Sequence, residues 1–430
     1  MRIALRSLPP STGGLVLVAV LGLVVASPAL AQTDWSIEGT LPSYAEYNAP
    51  PPLCPTVPPP YAVVFPPVPA PGCPANGPFP PLTCSVAGGT AFDNNGNPLS
   101  GGPPVPAMVH SDGFTLEMTT AAGAYITSMP VPPGAILGGP ITGVGYDSAA
   151  DVIWITDGFL AAGVGIAPAC PIPAVIFPPF PIPSPTGAPQ NGLDWDPCTG
   201  TLWAADCGGF VSNWAIGGAF LFGFPASPPL GPMLTGLAVN TTNGNIQVTD
   251  GFVVAEFTPF GAVAPAGPFY LSANPFPIPL WGAPVDGLGF SLRPQNYGFG
   301  CSPVGPPPTI TWGGGYPYAG NGGFTLAELG GPAGAIAILV FGFAPACPPL
   351  PVGGCPGGAL WVSPPFGGII GVGIVPGGGA ALVIPAPIPP PVGGACGFPV
   401  GVPLFVQFVN IIPGGGLALT DALSLTIGAI

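Results

Sequence analysis

Basic side chains are almost absent from this chain of 430 residues. The sequence has no lysine, and its three arginines, Arg2, Arg6 and Arg293, stand against 17 acidic residues. Proteins that bind nucleic acids neutralise phosphates with lysine and arginine, and attachment to anionic lipid headgroups depends on the same side chains. The composition therefore excludes a nucleic-acid-binding function and electrostatic docking to an anionic membrane.

Long apolar runs are also missing from the body of the chain. The longest stretches, such as residues 333–344, are interrupted by glycine. They are shorter than the roughly 18 residues that a transmembrane helix needs. We therefore expect no integral membrane segment in the mature protein.

The first 31 residues are typical of a secretory signal peptide. Arg2 and Arg6 precede an apolar core at residues 15–25, and Ala29-Leu30-Ala31 matches the small-residue cleavage site. Cleavage there gives a mature chain that begins at Gln32. The sequence thus predicts a secreted protein, either extracellular or at the cell surface, with the periplasm as the alternative location.

Glycine (70 residues) and proline (71 residues) are abundant, at a level that often accompanies disorder. Disordered chains are poor in apolar residues, however, whereas this sequence is 48% hydrophobic and only 5% charged. Because glycine and proline divide the apolar residues into short pieces, the pieces are predicted to be strands rather than helices. The expected fold class is all-β.

The sequence contains ten cysteines but no C-x-x-C pair. The missing motif disfavours a zinc ribbon and a thioredoxin-like redox site. An even number of cysteines in an exported chain favours disulfide bonds instead.

Two short motifs recur along the middle of the chain. The first is an acidic turn with a nearby glycine and phenylalanine, and its aspartates are Asp112, Asp157, Asp206 and Asp250. The second is a glycine that opens an apolar run, and its copies begin at Gly143, Gly192, Gly236 and Gly287. Successive copies are 44 to 51 residues apart, close to the length of one blade of a β-propeller.

The copy at residues 234–260 shows the plan of the repeat most clearly. Residues 236–240 are predicted to be a strand, Asn243-Gly244 a hairpin turn, and residues 246–249 and 253–258 two further strands. This plan resembles a blade of the NHL-type β-propellers, and the resemblance covers about residues 86–299. It implies five or six blades, the last of them closed by a strand from residues 35–92.

The regions that flank the repeat differ from it in composition. Residues 32–85 are rich in proline, contain three cysteines and are predicted to form an extended N-terminal segment. Residues 300–430 suit a β-sandwich, and their closing part resembles a C-terminal module of secreted bacterial proteins. The strands predicted there cover residues 324–329, 335–343, 360–363, 369–375, 380–384, 404–411 and 423–427.

Blade geometry constrains the disulfide bonds. Cys198 belongs to a predicted hairpin turn and Cys207 to the far end of the next strand, about 20 Å away, which is too far for them to bond each other. We expect Cys170 to bond Cys198 on one rim of the disc and Cys207 to bond an N-terminal cysteine. The pairs expected in the C-terminal domain are Cys347 with Cys355 and Cys301 with Cys396.

The turn aspartates Asp112, Asp157, Asp206 and Asp250 would all lie on one face of the disc. One interpretation is a ring of carboxylates around a cation. The favoured interpretation is structural: each carboxylate accepts N–H bonds from its own turn, because a residue that recurs in every blade serves a need of every blade.

Asn191 and Asp286 stand directly before two of the recurring glycines. They resemble two metal-ligand positions of gluconolactonase-type propellers, in which oxygen ligands hold a divalent ion. The corresponding residues of the other copies are Thr142 and Thr235. The resemblance implies a calcium site, whereas the residues themselves favour a turn role and no cofactor.

The sequence favours a secreted, non-catalytic binding or scaffold protein of the cell surface or matrix. Its low charge favours contacts with extracellular or envelope proteins or polysaccharides. A calcium-dependent, lactonase-like hydrolase is the alternative, and a self-assembling coat component is a third hypothesis. No catalytic residue is assigned.

Overall fold

The architecture comes from a computed structural model of the chain. It describes residues 33–38, 43–48, 62–69, 90–93, 107–111, 113, 115–120, 125–132, 134–135, 139–147, 150–166, 173–264, 269–270, 285–291, 294–297, 299–353, 355, 358–363, 367–377, 379–395, 397 and 399–429. Every regular element in these ranges is a β-strand. None of the described segments is a helix long and apolar enough to cross a bilayer.

The first twenty strands form five four-stranded antiparallel sheets. In chain order they are β1 (Thr33–Glu38), β2 (Ser43–Asn48), β3 (Ala62–Pro69), β4 (Thr90–Asp93), β5 (Ala107–Ser111), β6 (Thr115–Thr120), β7 (Tyr125–Pro130), β8 (Gly143–Asp147), β9 (Val152–Thr156), β10 (Leu160–Ile166), β11 (Pro173–Pro181), β12 (Gln190–Asp196), β13 (Thr201–Asp206), β14 (Phe210–Ala215), β15 (Phe220–Pro225), β16 (Gly236–Val239), β17 (Ile246–Thr249), β18 (Val253–Phe257), β19 (Phe269–Tyr270) and β20 (Val285–Ser291).

These sheets are the blades of a propeller. Blades I to IV consist of β4–β7, β8–β11, β12–β15 and β16–β19, and blade V has the order β20, β1, β2, β3. The inner strands β4, β8, β12, β16 and β20 contact one another in that order, and β20 contacts β4. The predicted all-β fold class, a propeller followed by a sandwich, is confirmed, and the described residues contribute five blades.

The N-terminal strands complete blade V. Strand β1 pairs with β20 on one side, for example Trp35 with Gly289, and with β2 on the other. The described strands β1, β2 and β3 are therefore part of blade V. The predicted end of the N-terminal segment at residue 85 lies outside the described residues and stays a prediction. Within that proline-rich region, Ala62–Pro69 is the outermost strand of the blade.

Proline accumulates on the outer strands for a physical reason. An outermost strand forms backbone hydrogen bonds along one edge only, so a proline whose nitrogen faces outward removes no ladder bond. Pro66 and Pro67 lie in β3, and Pro178 and Pro179 lie in β11. At such an edge proline also blocks pairing with another chain.

Glycine is required where the inner strands meet. An ideal Cβ on Gly143 would lie 2.9 Å from the backbone nitrogen of Leu193, and one on Gly192 would lie 2.8 Å from that of Leu237. A Cβ on Gly236 would lie 2.9 Å from Cα of Gly287. Because backbone abuts backbone from blade to blade, no side chain fits between these inner strands.

The remaining strands form the C-terminal domain. A five-stranded sheet (order β21, β30, β29, β24, β27) and a three-stranded sheet (order β22, β23, β28) enclose a common core, and β25 pairs with β26 as a hairpin. The strands are β21 (Gln295–Tyr297), β22 (Thr309–Gly313), β23 (Thr325–Leu329), β24 (Ile336–Gly342), β25 (Pro345–Pro351), β26 (Ala359–Val362), β27 (Gly368–Ile374), β28 (Leu382–Pro385), β29 (Pro403–Ile411) and β30 (Leu417–Thr426).

The core of this sandwich draws on both sheets. Phe324 and Leu326 face Leu339, Phe408 and Leu423, and all five side chains are buried. The end of the chain also reaches the propeller, because the backbone N–H of residue 429 donates to the carbonyl of residue 241 at 3.1 Å.

One disulfide of the C-terminal domain differs from the expected pairs. Cys301 bonds Cys355, with a Cα–Cα distance of 5.9 Å, so the predictions of Cys347 with Cys355 and of Cys301 with Cys396 were wrong. The backbone of Cys301 pairs with that of Leu419 in β30, and all three residues pack in one buried cluster. The long-range pairing of β30, which the spacing of the cysteines does not reveal, determines which cysteine is near.

The structure shows the bonding state of two propeller cysteines but not their disulfide partners. Cys198 and Cys207 are both disulfide-bonded, and their partners lie outside the described residues. The expected bond from Cys170 to Cys198 also involves a residue outside that range, so it stays a prediction.

Candidate functional site

The residues that precede the inner-strand glycines connect neighbouring blades. Thr142 Oγ1 donates to the carbonyl of Gln190 at 2.7 Å, which links blade II to blade III. Asn191 Nδ2 donates to the carbonyl of Leu234 at 3.3 Å, which links blade III to blade IV. In both cases the acceptor lies two residues before the glycine of the next blade, so this position acts as an inter-blade latch.

Asn191 keeps one group unused in this arrangement. Its side chain is buried, and Oδ1 has no hydrogen-bond partner among the described residues. Because Ca²⁺ is commonly coordinated by amide oxygens, Asn191 Oδ1 could serve as one ligand of a calcium ion. Thr142 at the equivalent position has already used its hydroxyl group in the latch.

A complete metal site is not assembled by the described side chains. The side chain of Asp286 lies outside them, so the predicted pairing of Asn191 with Asp286 stays a prediction. No group of three histidine, cysteine, aspartate or glutamate side chains in the described part of the chain could hold a metal ion.

The acidic turns bind their own backbone. Asp157 Oδ1 accepts the N–H groups of Phe159 and Leu160 at 3.1 and 2.9 Å. Asp250 repeats this pattern, with bonds of 3.0 and 2.9 Å from the N–H groups two and three residues later. The glycine after each aspartate has φ of +96° and +91° respectively, a conformation that other residues rarely adopt.

Asp206 occupies a more enclosed version of the same turn. Its Oδ1 accepts the N–H groups of Gly208 and Phe210 at 2.9 and 2.7 Å, and its Oδ2 accepts the hydroxyl groups of Ser184 and Thr186. The carboxylate is fully buried. These bonds are those of turn residues, and Asp112 lies outside the described residues.

A buried carboxylate that the sequence analysis missed lies between three blades. Asp194 accepts the backbone N–H groups of Trp195 and Val239, both at 2.8 Å, and that of Tyr146 in blade II. Burial raises the pKa of Asp194 to about 7, and nearby Asp196 adds to that increase, whereas the three N–H donors act in the opposite direction.

The geometry of Asp194 favours a structural role, in which it joins neighbouring blades, over a catalytic one. One side chain contacts blades II, III and IV, and it is buried. A signal for it exists in the sequence, because the equivalent residues of blades II, IV and V are Gly145, Ala238 and Gly289. Asp194 is therefore the one larger, charged residue at a position that is glycine or alanine in these other blades.

The sandwich contains a second buried carboxyl group. Glu328 Oε1 accepts a hydrogen bond of 2.6 Å from Asn410 Nδ2, across the core from β23 to β29. Glu328 Oε2 and Asn410 Oδ1 are buried and have no partner among the described residues. Burial raises the pKa of Glu328 to about 7, and the bond from Asn410 lowers it by less.

Protonation of Glu328 should stabilise the fold. Its folded pKa of about 7 exceeds its ordinary value of 4.5, so the folded state binds the extra proton and stability falls as pH rises from about 4.5 to about 7. Between pH 5 and pH 8 the free energy of unfolding should fall by about 2 kcal/mol through this group. Glu328→Gln, which is neutral at every pH, should remove that part of the slope in denaturant titrations. Equal slopes for wild type and variant would contradict the assignment.

No protein-family model matches the chain, and no curated protein matches it. Among solved structures, it is similar to a protein of unknown function from Bacteroides caccae (12% identity, TM-score 0.32, covering 54% of this chain and 72% of that one). It is also similar to a functionally unknown protein from Desulfotomaculum acetoxidans (11%, 0.31, 59% and 74%) and to a candidate 6-phosphogluconolactonase from Bacteroides uniformis (11%, 0.30, 57% and 84%).

Proposed function

We propose that this chain is an exported, non-catalytic binding or scaffold protein of the cell surface or extracellular matrix. The signal-like N-terminus supports export, and the disulfide between Cys301 and Cys355 suits an oxidising compartment. The hydrogen bonds of Asp157, Asp206 and Asp250 support a structural role for the turn aspartates of the propeller. Each of these carboxylates accepts hydrogen bonds from backbone N–H groups.

The outer strand of blade III carries the proposal. Phe220, Leu221 and Phe222 of β15 are consecutive and between 39 and 46% exposed. The ring of Phe220 packs edge-on against Trp214 at 5.3 Å, and that of Phe222 against Trp203 at 5.2 Å. Trp214 belongs to the core between blades II and III, and Trp203 to the core between blades III and IV, so the two phenylalanines are anchored on opposite faces of the blade. Together with Leu221 they form an apolar surface along its outer edge that a partner can contact.

The chemistry of this surface selects a neutral partner. The chain retains only Arg293 as a basic residue after the predicted cleavage, so ionic recognition of an acidic ligand is disfavoured. Aromatic and aliphatic side chains instead recognise the apolar faces of uncharged extracellular or envelope material. Polysaccharide and envelope protein are the two partner classes that meet this requirement.

Co-sedimentation with envelope polysaccharide and envelope protein, each in a separate arm, tests the proposal. Leu221→Asp and Phe222→Ser should each lower the bound fraction about tenfold, because each replaces an apolar side chain of this outer edge by a polar one. Phe260→Ser is the matched control, since Phe260 is 90% exposed but lies in blade IV. Absence of binding by the wild type in both arms, or equal binding by all three variants, would refute the proposal.

A calcium-dependent lactonase is the second candidate. The buried and unpartnered Oδ1 of Asn191 favours it. Under that alternative, the purified protein hydrolyses lactones only with calcium, and Asn191→Leu and Asp286→Ala each abolish the activity. Under the scaffold proposal, lactone hydrolysis stays at the rate of the uncatalysed reaction with and without calcium.

A further inference from the structure

The sandwich leaves one long strand edge without a described partner. Strand β27 pairs with β24 along one side, and no described residue pairs with its other side. Its exposed backbone N–H and C=O groups are a template for another extended strand. The register shift in the β24–β27 pair lies between Leu339 and Val340, so the part of β27 from Gly371 to Ile374 runs regularly.

The other edges of the sandwich are protected. Strand β21 has only three residues, β22 directly follows the prolines at residues 306–308, and β28 is four residues long and ends in Pro385. Strand β27 has seven residues and contains neither proline nor a charged residue. Short length, proline and charge, which natural proteins use to prevent edge pairing, are therefore absent from β27, and its one irregularity lies outside Gly371 to Ile374.

Side chains along β27 are apolar and accessible. Ile369, Val372 and Ile374 are exposed, and Val372 is 62% exposed. Ile374 lies beside Ile336, and Ile336 lies beside Ile411 on the next strand; both neighbours are also exposed. The apolar surface thus continues from the free edge across three strands of the sheet.

The low charge of the C-terminal domain indicates which kind of strand would pair with β27. Residues 301–430 contain only two ionisable acidic side chains, Glu328 and Asp421, and no basic residue. Glu328 is in the core, and Asp421 accepts hydrogen bonds from the backbone of Ile310 and the side chain of Asn296. This domain therefore offers a charged peptide no counter-charge, and it does not repel a second domain of the same kind.

From these observations we infer that β27 is a self-association edge, at which two copies of this chain pair their β27 strands antiparallel about a twofold axis. A twofold interface brings the same patch together from both copies, so each apolar β27 meets an equally apolar partner. The two five-stranded sheets then form one continuous ten-stranded sheet. This inference concerns a surface other than β15 and does not depend on the proposed function.

Sedimentation equilibrium of the full exported chain tests the inference. The wild type should show a concentration-dependent monomer–dimer equilibrium. Val372→Lys should weaken dimerisation at least about tenfold, because twofold pairing of the edges would bring the ammonium groups of the two copies close together. Ile374→Lys should do the same and serves as the second variant if the first is poorly folded.

Val304→Lys is the matched control. It makes the same substitution at a residue that is 57% exposed, in a loop of the same domain, and it should dimerise as the wild type does. A wild type that stays monomeric over the full concentration range would overturn the inference. So would β27 variants that associate as strongly as Val304→Lys while their unfolding midpoints match it.

Discussion

Replacing Gly192 by alanine should lower the free energy of unfolding by about 3 kcal/mol, as overpacking of a rigid contact does. The added Cβ would lie 2.8 Å from the backbone nitrogen of Leu237 and 3.0 Å from the carbonyl carbon of Gly236. Backbone atoms of a paired strand cannot rotate aside, so relief requires movement of blade IV as a whole. Thermal and denaturant unfolding of the exported chain measure the effect.

Gly139→Ala provides the matched control for this prediction. Its Cβ would lie 3.7 Å from the carbonyl oxygen of Asp157, an ordinary van der Waals distance. The variant should remain within about 0.5 kcal/mol of the wild type. Similar losses for Gly139→Ala and Gly192→Ala would mean that blade contact at the inner strands is not the cause.

Removing the disulfide of the sandwich should have an effect of similar or larger size. Cys301 and Cys355 are separated by 54 residues, and releasing a loop of that length lowers stability by about 4 kcal/mol through the entropy of the unfolded chain. The double substitution to alanine should show this loss in denaturant unfolding. Part of the loss reflects packing, because both cysteines lie in a buried cluster with Leu419.

Peptide mapping of the unreduced protein checks the pairing itself. Chymotrypsin suits this chain because lysine is absent and aromatic residues are frequent. A fragment that joins Cys301 to Cys355 is expected. A fragment that joins Cys301 to Cys396 would contradict the structure and restore the pairing suggested by sequence.

Local features of the fold were predictable because each motif dictates its own backbone. The glycine at position 236 and the Asn243-Gly244 turn predicted three strands of blade IV, and the observed strands Gly236–Val239, Ile246–Thr249 and Val253–Phe257 agree within two residues. Seven of the ten described strands of the C-terminal domain were predictable in the same way, because glycine and proline separate them, whereas β21, β22 and β25 were not predicted. Alternation and turn chemistry act over a few residues, so a single sequence reveals them.

Features that depend on distant residues were not predictable in this way. The first copy of the glycine motif, Gly89-Thr90-Ala91-Phe92-Asp93, was missed because a polar threonine follows its glycine. Strand β4 nevertheless contacts both β8 and β20. The bond from Cys301 to Cys355 depends on where β30 pairs, and no local pattern encodes that choice.

The sequence predicted the position of one residue of the candidate site, Asn191, but not the inter-blade hydrogen bond that this residue makes. Asn191 was singled out from its place before a recurring glycine, and the structure shows that its amide nitrogen links two blades. Asp194 was missed because one acidic residue in an apolar strand resembles ordinary alternation between polar and apolar residues. Its meaning becomes clear only when Tyr146 and Val239 from the neighbouring blades are brought beside it.

Calorimetric titration of calcium into the wild type and Asn191→Asp tests most directly whether the polar residues before the inner-strand glycines join the blades or hold a metal. We predict no calcium binding by the wild type. We also predict that Asn191→Asp is less stable at neutral pH, because its carboxylate would face the carbonyl of Leu234 in place of a donor. Stoichiometric calcium binding by the wild type, or restoration of the stability of Asn191→Asp by calcium, would contradict the account.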